Sequence, residues 1–400
     1  MSASPWIVVL GLGLPLYAYV AYPVLVFVLA AFVQAARDLS YLLRRTDRRS
    51  RNVQWPSVSI LIAAYNEEAV IGRTISSALA QDYPGDRLEV IIGSDASTDG
   101  TVPVAEEYSA RGVRVMAFPC RRGKMAVISD CAARALGDIL IFTDANTVLS
   151  PDSVRNLARH FHDPRVGAVC GELRLLTSAG LAAAEGVYWH YEVILKILES
   201  RLNAVLGANG AIYAVRREIF PRLRENLITD DFVIPMKVRA RGFRVVYDPE
   251  AVAFEAAPAA VSDEFRRRVR IGAGNWQALG DCSSLLLPWK GFVSVAFWSH
   301  KVLRWLTPFL LVAAFAANLA LLGRPFWNGV FAIQLAFYGS AALGYGLRRL
   351  HLPGGPLKLA TYFAAINAAL ALGLLKGVLG LQRPAWQRTA REPLPTRSER

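Results

Sequence analysis

The chain has 400 residues, 54% of them hydrophobic, with a mean hydropathy of +0.30 and a formal charge of +13 from 45 Lys and Arg against 32 Asp and Glu. At roughly 150 residues per domain the length allows two or three domains, but the apolar excess excludes an ordinary soluble protein. A transporter built of helices throughout is excluded as well, because residues 50–280 carry dense charge and no apolar span of about 20 residues.

No Asp, Glu, Lys, Arg or His precedes Arg37. This run lacks a basic leader and exceeds the roughly 7–15 apolar residues of a secretory signal, so residues 1–36 are expected to be a retained transmembrane helix. Arg37, Arg44, Arg45, Arg48, Arg49 and Arg51 follow it, against only Asp38 and Asp47. By the positive-inside rule this basic linker, residues 37–54, faces the cytosol and the N-terminus faces outward. The positive charge is thereby read as a membrane flank, and no nucleic-acid partner is expected.

From Trp55 short apolar runs alternate with amphipathic stretches, the pattern of βαβ units and a mainly parallel sheet. Strands are predicted over 58–64, 88–93, 113–118, 139–143 and 166–170. Asn66 is placed as the cap of a helix whose first turn holds Glu67 and Glu68 and which ends near Gln81, before Tyr83-Pro84. Further helices are predicted over 100–110, 124–136 and 151–161, then from about 179 to 205, with a strand over 207–215 and a helix over 230–241. Residues 283–304 mix Trp289, Phe292, Phe297 and Trp298 with Lys290, His300, Lys301 and Arg304, which suits an amphipathic helix lying in the membrane interface. Uncharged runs at 305–323, 325–347 and 359–375 predict about three spanning helices within 305–382. The tail, 383–400, carries Arg383, Arg388, Arg391, Arg397 and Arg400 against two glutamates. Four spans put that tail outside whereas its charge asks for the cytosol, a conflict that predicts one re-entrant or interfacial segment.

Cys120, Cys131, Cys170 and Cys282 form no metal-spaced cluster and fit a reducing cytosol without disulfides. His160 and His162 flank Phe161 with no third ligand in sight and are not read as a zinc site.

The chemistry-bearing motifs fall where ligands of an open α/β sheet bind, beyond the carboxyl ends of the strands. The first predicted strand ends in Ala63-Ala64-Tyr65-Asn66-Glu67-Glu68, and the second leads into Ser94-Asp95-Ala96-Ser97-Thr98-Asp99-Gly100. An aspartate at such an end can accept from the imide N–H of a uracil, while a tyrosine and small residues let a flat base lie against backbone. Alone, Ser-Thr-Asp-Gly is merely a good turn and helix cap. The fourth strand delivers Thr143-Asp144-Ala145-Asn146, two oxygen-bearing side chains two apart that can hold a Mg²⁺ or Mn²⁺ bridging nucleotide phosphates. Arg-x-Gly-Lys stands at 121–124 and Thr-Asp-Asp at 229–231.

In this order and spacing the series resembles family 2 glycosyltransferases of the GT-A fold, especially the membrane-embedded branch containing synthases of poly-N-acetylglucosamine, chitin oligosaccharides, hyaluronan and cellulose. The likeness runs over about residues 55–280. It implies an α/β, Rossmann-like GT-A domain with a mainly parallel sheet at residues 55–282, cytosolic, between transmembrane helices. It further implies that Ala63, Tyr65, Glu67 and Asp95 contact the uridine, and that Lys124 and Asp144 serve the diphosphate side. Asp144 and Asn146 stand for the family's Asp-x-Asp metal motif, with an amide in place of the second carboxylate. Asp231 matches the general base that takes the acceptor's hydroxyl proton as the anomeric carbon inverts, and Asp230 lies beside it on the acceptor side.

Arg270 matches the arginine of Gln-x-x-Arg-Trp, in which Arg267 replaces the glutamine and Ile271 the tryptophan. That tryptophan belongs to the acceptor platform of the synthases, so its loss argues against processive synthesis. Trp276 is a candidate substitute, with packing as the competing role. Asn209 and Gly210 fall where the family contacts the acceptor. Glu192 and Glu199, seven apart on one helical face, either line an acceptor groove or face solvent. The expected protein is a multi-pass inner-membrane, inverting transferase that moves sugar from a UDP-sugar to a glycan or lipid-linked acceptor with Mg²⁺ or Mn²⁺. A partner subunit for export is compatible with it. The alternatives are a processive synthase that also translocates its product, and a non-catalytic translocation or scaffold subunit, disfavoured by the intact Asp95, Asp144, Asp231 and Arg270.

Overall fold

The computed structural model describes residues 3–44, 54–176, 182–256, 261–350, 352 and 355–382. Most of the basic linker and the whole tail after Gln382 lie outside these residues. An eight-stranded sheet is formed by β1 (Val58–Ala64), β2 (Leu88–Asp95), β3 (Val113–Phe118), β4 (Ile139–Asp144), β5 (Val148–Leu149), β6 (Val166–Leu176), β7 (Tyr213–Arg216) and β8 (Arg244–Ala256), in the order β3-β2-β1-β4-β7-β6-β8-β5. The expected strands are all present. The sheet is mixed and mainly parallel, as expected: β3, β2, β1 and β4 run parallel, as do β6 and β8, whereas β7 is antiparallel to both β4 and β6, and β5 is antiparallel to β8.

β1 is buried along its whole length, as an apolar strand inside a sheet covered on both faces should be. Register aligns the strand ends: Ala63 stands opposite Gly93 on one side and Asp144 on the other, and Asp95 opposite Phe118. The loops after β1, β2, β3 and β4 therefore open on one edge.

The helices are α1 (Ala3–Leu16), α2 (Tyr22–Arg44), α3 (Glu68–Leu79), α4 (Thr101–Glu106), α5 (Lys124–Arg134), α6 (Ser153–Ala158), α7 (Ala182–Arg201), α8 (Asp230–Ala240), α9 (Val261–Asp281), α10 (Phe292–Ala296), α11 (Leu303–Leu319), α12 (Pro325–Arg349) and α13 (Leu357–Val378). Four local expectations change. Asn66 is not a helix cap: it adopts φ +54° and its Oδ1 accepts the Thr98 N–H at 2.8 Å, so Glu67 takes the cap position and α3 starts at Glu68. The strand expected over 207–215 is shortened to Tyr213–Arg216 because Gly207, at φ +75°, and the Ile212 N–H to Asn209 carbonyl bond of 3.1 Å fold residues 207–212 into a turn. β8 and α9, both unpredicted, complete the sheet edge and the membrane-side wall.

The fourth change is the interfacial helix expected over 283–304. Two short turns, Ser283–Leu286 and Pro288–Lys290, are followed by one continuous helix in which α10 passes through a π-helical turn at Phe297–Val302 into α11. Its His300, Arg304 and Lys301 are paired with Glu199 and Glu192 inside the protein. Among the described residues four helices are long and apolar enough to cross a membrane: Pro5–Leu43, Phe292–Leu319, Pro325–Arg349 and Leu357–Val378, of 39, 28, 25 and 22 residues. At about 1.5 Å per residue each is long enough to match the roughly 30 Å of a hydrocarbon core.

The N-terminal helix, about twice that length, also has a π-helical turn, at Tyr17–Ala21. Beyond it Tyr22, Val26 and Ala30, spaced four apart, are fully buried, and α2 packs along α7. The two π-turns meet where the Tyr17 hydroxyl lies 2.9 Å from Ser299 Oγ. Beside them is a buried ionic cluster. Glu199 Oε1 accepts from the Tyr22 hydroxyl at 2.8 Å and lies 2.7 Å from His300 Nδ1. Glu192 meets His300 Nε2 at 3.1 Å and Arg304 at 2.5 Å, and Arg304 also reaches the Tyr191 hydroxyl at 2.6 Å. Glu192 and Glu199 do not simply face solvent: their seven-residue spacing turns both toward the basic residues of the helix opposite.

Removing one partner of such a cluster strands the rest without solvent. Glu199→Ala is expected to destabilise the protein by about 3–5 kcal/mol. Ser299→Ala, which removes one part-buried bond, is expected to cost about 1 kcal/mol. Unfolding monitored in the same detergent for both variants checks the difference.

Candidate active site

The loop after β3 is shaped by Asp95. Its carboxylate, with no solvent exposure, accepts the backbone N–H of Arg122 at 2.7 Å and of Gly123 at 2.9 Å. Gly123 takes φ +95°, a conformation costly for any side chain, and this turn makes Lys124 the first residue of α5. Asp95 was expected to meet a uridine; here it shapes the loop that presents the lysine.

The neighbouring loops are laced together. The N–H of Asn66 donates to Ser97 Oγ at 3.1 Å, that of Glu67 to Thr101 Oγ1 at 2.8 Å, and that of Gly100 to Glu68 at 3.0 Å. Tyr65 lies at this edge with the Arg121 guanidinium 3.7 Å over its ring centroid, and Ala63 is buried in the strand beside Asp144.

Lys124 Nζ donates to Asp144 Oδ1 at 2.8 Å and lies 3.3 Å from Asp230 Oδ2. Burial disfavours its charge, but the two carboxylates outweigh burial and hold its pKa above the usual lysine range. Asp230 and Asp231 open α8, and Asp230 also receives the Tyr213 hydroxyl at 3.4 Å. Asp231 titrates at about 6, raised first by burial and then by Asp230 and Asp144, against the opposing pull of Lys124 and Lys196.

Gly210 brings the two halves together. A Cβ at that position would lie 3.5 Å from Asp144 Oδ2 and 3.7 Å from Asp231 Oδ2. The space left by a missing side chain thus separates the strand-end carboxylate from the helix-start carboxylate. Asn209, its neighbour, is held from both ends: its Oδ1 accepts Lys196 Nζ at 2.7 Å and its Nδ2 donates to the Gly171 carbonyl at 3.1 Å.

Arg270 approaches from α9. Burial, then Arg267, lower its pKa, while Asp230, Asp144 and Asp231 act in the opposite direction, which puts the guanidinium within the field of all three carboxylates. α9 can lie so close because it is glycine-lined on both faces. A Cβ on Gly274 would meet Thr229 Cγ2 at 2.5 Å, and one on Gly272 would meet the Leu370 carbonyl of α13 at 2.9 Å. On the partner helix, a Cβ on Gly373 would fall 2.2 Å from the Val269 carbonyl. Trp276 is 44% exposed and its Cβ lies beside Gly377 of α13, which favours packing over an acceptor platform.

Asp144 supplies one carboxylate and Asn146 one amide oxygen at the strand end, and no group of three or more His, Cys, Asp or Glu that could hold a metal ion is found among the described residues. Such a donor set fits a hard divalent cation that completes its shell with phosphate oxygens, and does not fit a cage that retains metal alone.

A family model described as glycosyltransferase-like family 2 matches residues 56–274. The chain belongs to this glycosyltransferase family. An N-acetylglucosaminyltransferase of Mesorhizobium japonicum is 30% identical over 237 residues, 54% of this chain and 55% of that protein. A poly-β-1,6-N-acetyl-D-glucosamine synthase of Staphylococcus epidermidis is 24% identical over 238 residues, 58% of this chain and 57% of that one. The match therefore spans little more than half the length of these curated relatives. Among solved structures, a mannosyltransferase of Pyrobaculum calidifontis in complex with GDP-mannose and Mn²⁺ is superposable with a TM-score of 0.69 at 21% identity, over 94% of this chain and all of that one. The Rossmann-like core is thus of the GT-A fold.

The glycosyltransferase's site residues expected from sequence come to one edge, with Asp144, Asp230, Asp231, Lys124, Gly210 and Arg270 as its centre. Lys196 was missed, although its spacing of four from Glu192 puts both on one helical face. Gly210→Ala, whose added carbon makes only ordinary contacts, is expected to retain most sugar transfer. Gly210→Val is expected to lower transfer about a hundredfold by filling the gap. Measuring both rates alongside thermal unfolding separates this effect from misfolding.

Proposed function

We propose that this glycosyltransferase is a membrane-integral, inverting enzyme that transfers a sugar from a UDP-sugar to a hydroxyl of a glycan or lipid-linked acceptor. The observation that carries this reading is that Asp144 and Asp231 both border the space at Gly210, with Lys124 bonded to Asp144 and Arg270 within the electrostatic reach of both carboxylates. N-acetylglucosamine is the first sugar to test, because relatives matched over the catalytic segment carry N-acetylglucosaminyl names. The catalytic segment, about residues 55–282, is read as cytosolic at the inner membrane, held by one N-terminal and three C-terminal spans.

In the proposed reaction Asp231, ionised, takes the acceptor's hydroxyl proton as that oxygen forms a bond to the anomeric carbon from the face opposite the departing diphosphate. The bond from anomeric carbon to phosphate oxygen breaks with its electron pair on UDP. Lys124 and Arg270 offset the charge that gathers there. Tyr65, with Glu67 and the backbone near Ala63, is placed for the uridine, and Asp95 holds the lysine loop. A Mg²⁺ or Mn²⁺ held by Asp144 and Asn146 with the diphosphate would supply further charge neutralisation. Ile271 at the platform position and the packed Trp276 favour addition of one or a few sugars over processive synthesis.

Purified protein in lipid is given UDP-GlcNAc, UDP-Glc, UDP-Gal and GDP-mannose with Mg²⁺ or Mn²⁺. Turnover of a UDP-sugar to short products, lost in Asp231→Asn, supports the reading; preference for GDP-mannose or long polymer would replace the donor or the non-processive assignment. Because Asp231 accepts a proton only when ionised, transfer should fall as pH drops through about 6. Lys124 stabilises the ionised form, so Lys124→Met should move that acid limb upward in a rate–pH profile.

A further inference from the structure

Lys196 presents an unusual arrangement. It lies on α7 with only 9% of its surface exposed, and its ammonium has no carboxylate within ion-pair distance among the described residues. Its hydrogen-bond partner is a neutral amide, the Oδ1 of Asn209 at 2.7 Å, and it sits 5.8 Å from the ring centroid of Tyr247. A buried charge paired only with an amide is costly, and burial, with Lys301 adding to it, depresses the lysine's pKa. A neutral side chain of the same length would fill the space at less cost, so packing alone does not account for the ammonium.

What the ammonium holds is the turn at 207–212. Asn209 is fixed by Lys196 on one side and by the Gly171 carbonyl of β6 on the other. The turn is tied to α8 by the Ala208 N–H donating to the Asp231 carbonyl at 2.7 Å, and closed on itself by Ile212 donating to Asn209. The next residue, Gly210, borders both Asp144 and Asp231. On the same face of α7, Glu192 and Glu199 are paired with His300 and Arg304 of the membrane-length helix. The amide of Asn209 is therefore located relative to that helix.

We propose that Lys196 is a positioning residue: through Asn209 it sets the 207–212 turn, and with it the width of the gap between Asp144 and Asp231 in which acceptor and donor meet. The proposal rests on the sugar-transfer reading for its functional part, while its structural part stands on the clamp alone. The two residues act as a unit, so loss of either releases the same turn. Misplacement by about 1 Å at a reacting centre costs on the order of a hundredfold in rate. The nucleotide side, built from β1, β2 and the 121–124 loop, is not touched by the clamp.

The test compares wild type, Lys196→Met, Asn209→Ala and the double variant in lipid nanodiscs, with Lys196→Gln as a milder replacement should the methionine variant not fold. Three readouts are taken: amide hydrogen exchange over 207–212, UDP binding by calorimetry, and transfer from UDP-GlcNAc to chitotriose. Lys196→Met is expected to speed exchange in the turn about tenfold or more and to lower kcat about ten- to a hundredfold, with UDP affinity unchanged. The double variant should be no worse than the worse single variant. Unchanged exchange, multiplicative losses in the double variant, or a matching loss of UDP affinity would each overturn the proposal. Faster exchange in the turn of a protein whose wild type neither binds UDP nor turns over UDP-GlcNAc would uphold the clamp and remove the UDP-sugar reading instead.

Discussion

The site depends on one close passage of backbone. Helix α9 runs between the 229–231 turn and α13, and on each side a glycine stands where a side chain would collide. This approach lets one helix carry Arg270 into the field of Asp144, Asp230 and Asp231 while resting on a membrane-length helix. Small residues at such crossings replace side-chain interdigitation by direct van der Waals contact between backbones, which leaves little freedom to slide. The 229–231 turn and the membrane-length helix α13 are therefore packed through a single intervening helix.

The charges at the site are balanced by residues from four separate elements. Asp144 ends β4, Asp230 and Asp231 begin α8, Lys124 begins α5 and Arg270 lies on α9. Three carboxylates face the cations Lys124 and Arg270, and burial first, with Asp230 and Asp144 adding to it, pushes the Asp231 carboxyl up to about 6. Asn146 keeps a fourth carboxylate out of this cluster. A second formal charge at that position would strengthen a metal's hold, but it would also add repulsion toward an incoming diphosphate in the absence of metal.

The sheet edge was legible because its signals are local: alternating apolar runs, a glycine before Lys124, and carboxylates at strand ends whose order matches a family. The spans were legible from missing charge. What escaped was determined by partners distant in sequence. Glu192 and Glu199 read as an exposed face until His300 and Arg304, about a hundred residues away, are brought against them. The same pairing disguised residues 292–304, whose charges suggest an interface helix though they are neutralised within the fold. α9 escaped because its glycines and arginines look like a basic loop, and its helical character is supported by α13 rather than by local propensity. The direction of β7 depends on the 207–212 turn, which no two-residue periodicity reveals.

If α13 spans a bilayer as proposed, the glycine crossing between α9 and α13 would couple that bilayer to the geometry of the site. A helix of 22 residues answers a thicker or thinner hydrocarbon layer mainly by changing its tilt. Where backbones touch, that tilt cannot be absorbed by rotamer changes and is passed to α9, and from there through Gly274 to Thr229 and the start of α8. In the proposed membrane setting, acyl-chain length would then bear on how Arg270 is held toward the carboxylates, so that lipid composition would reach the site as well as the anchor.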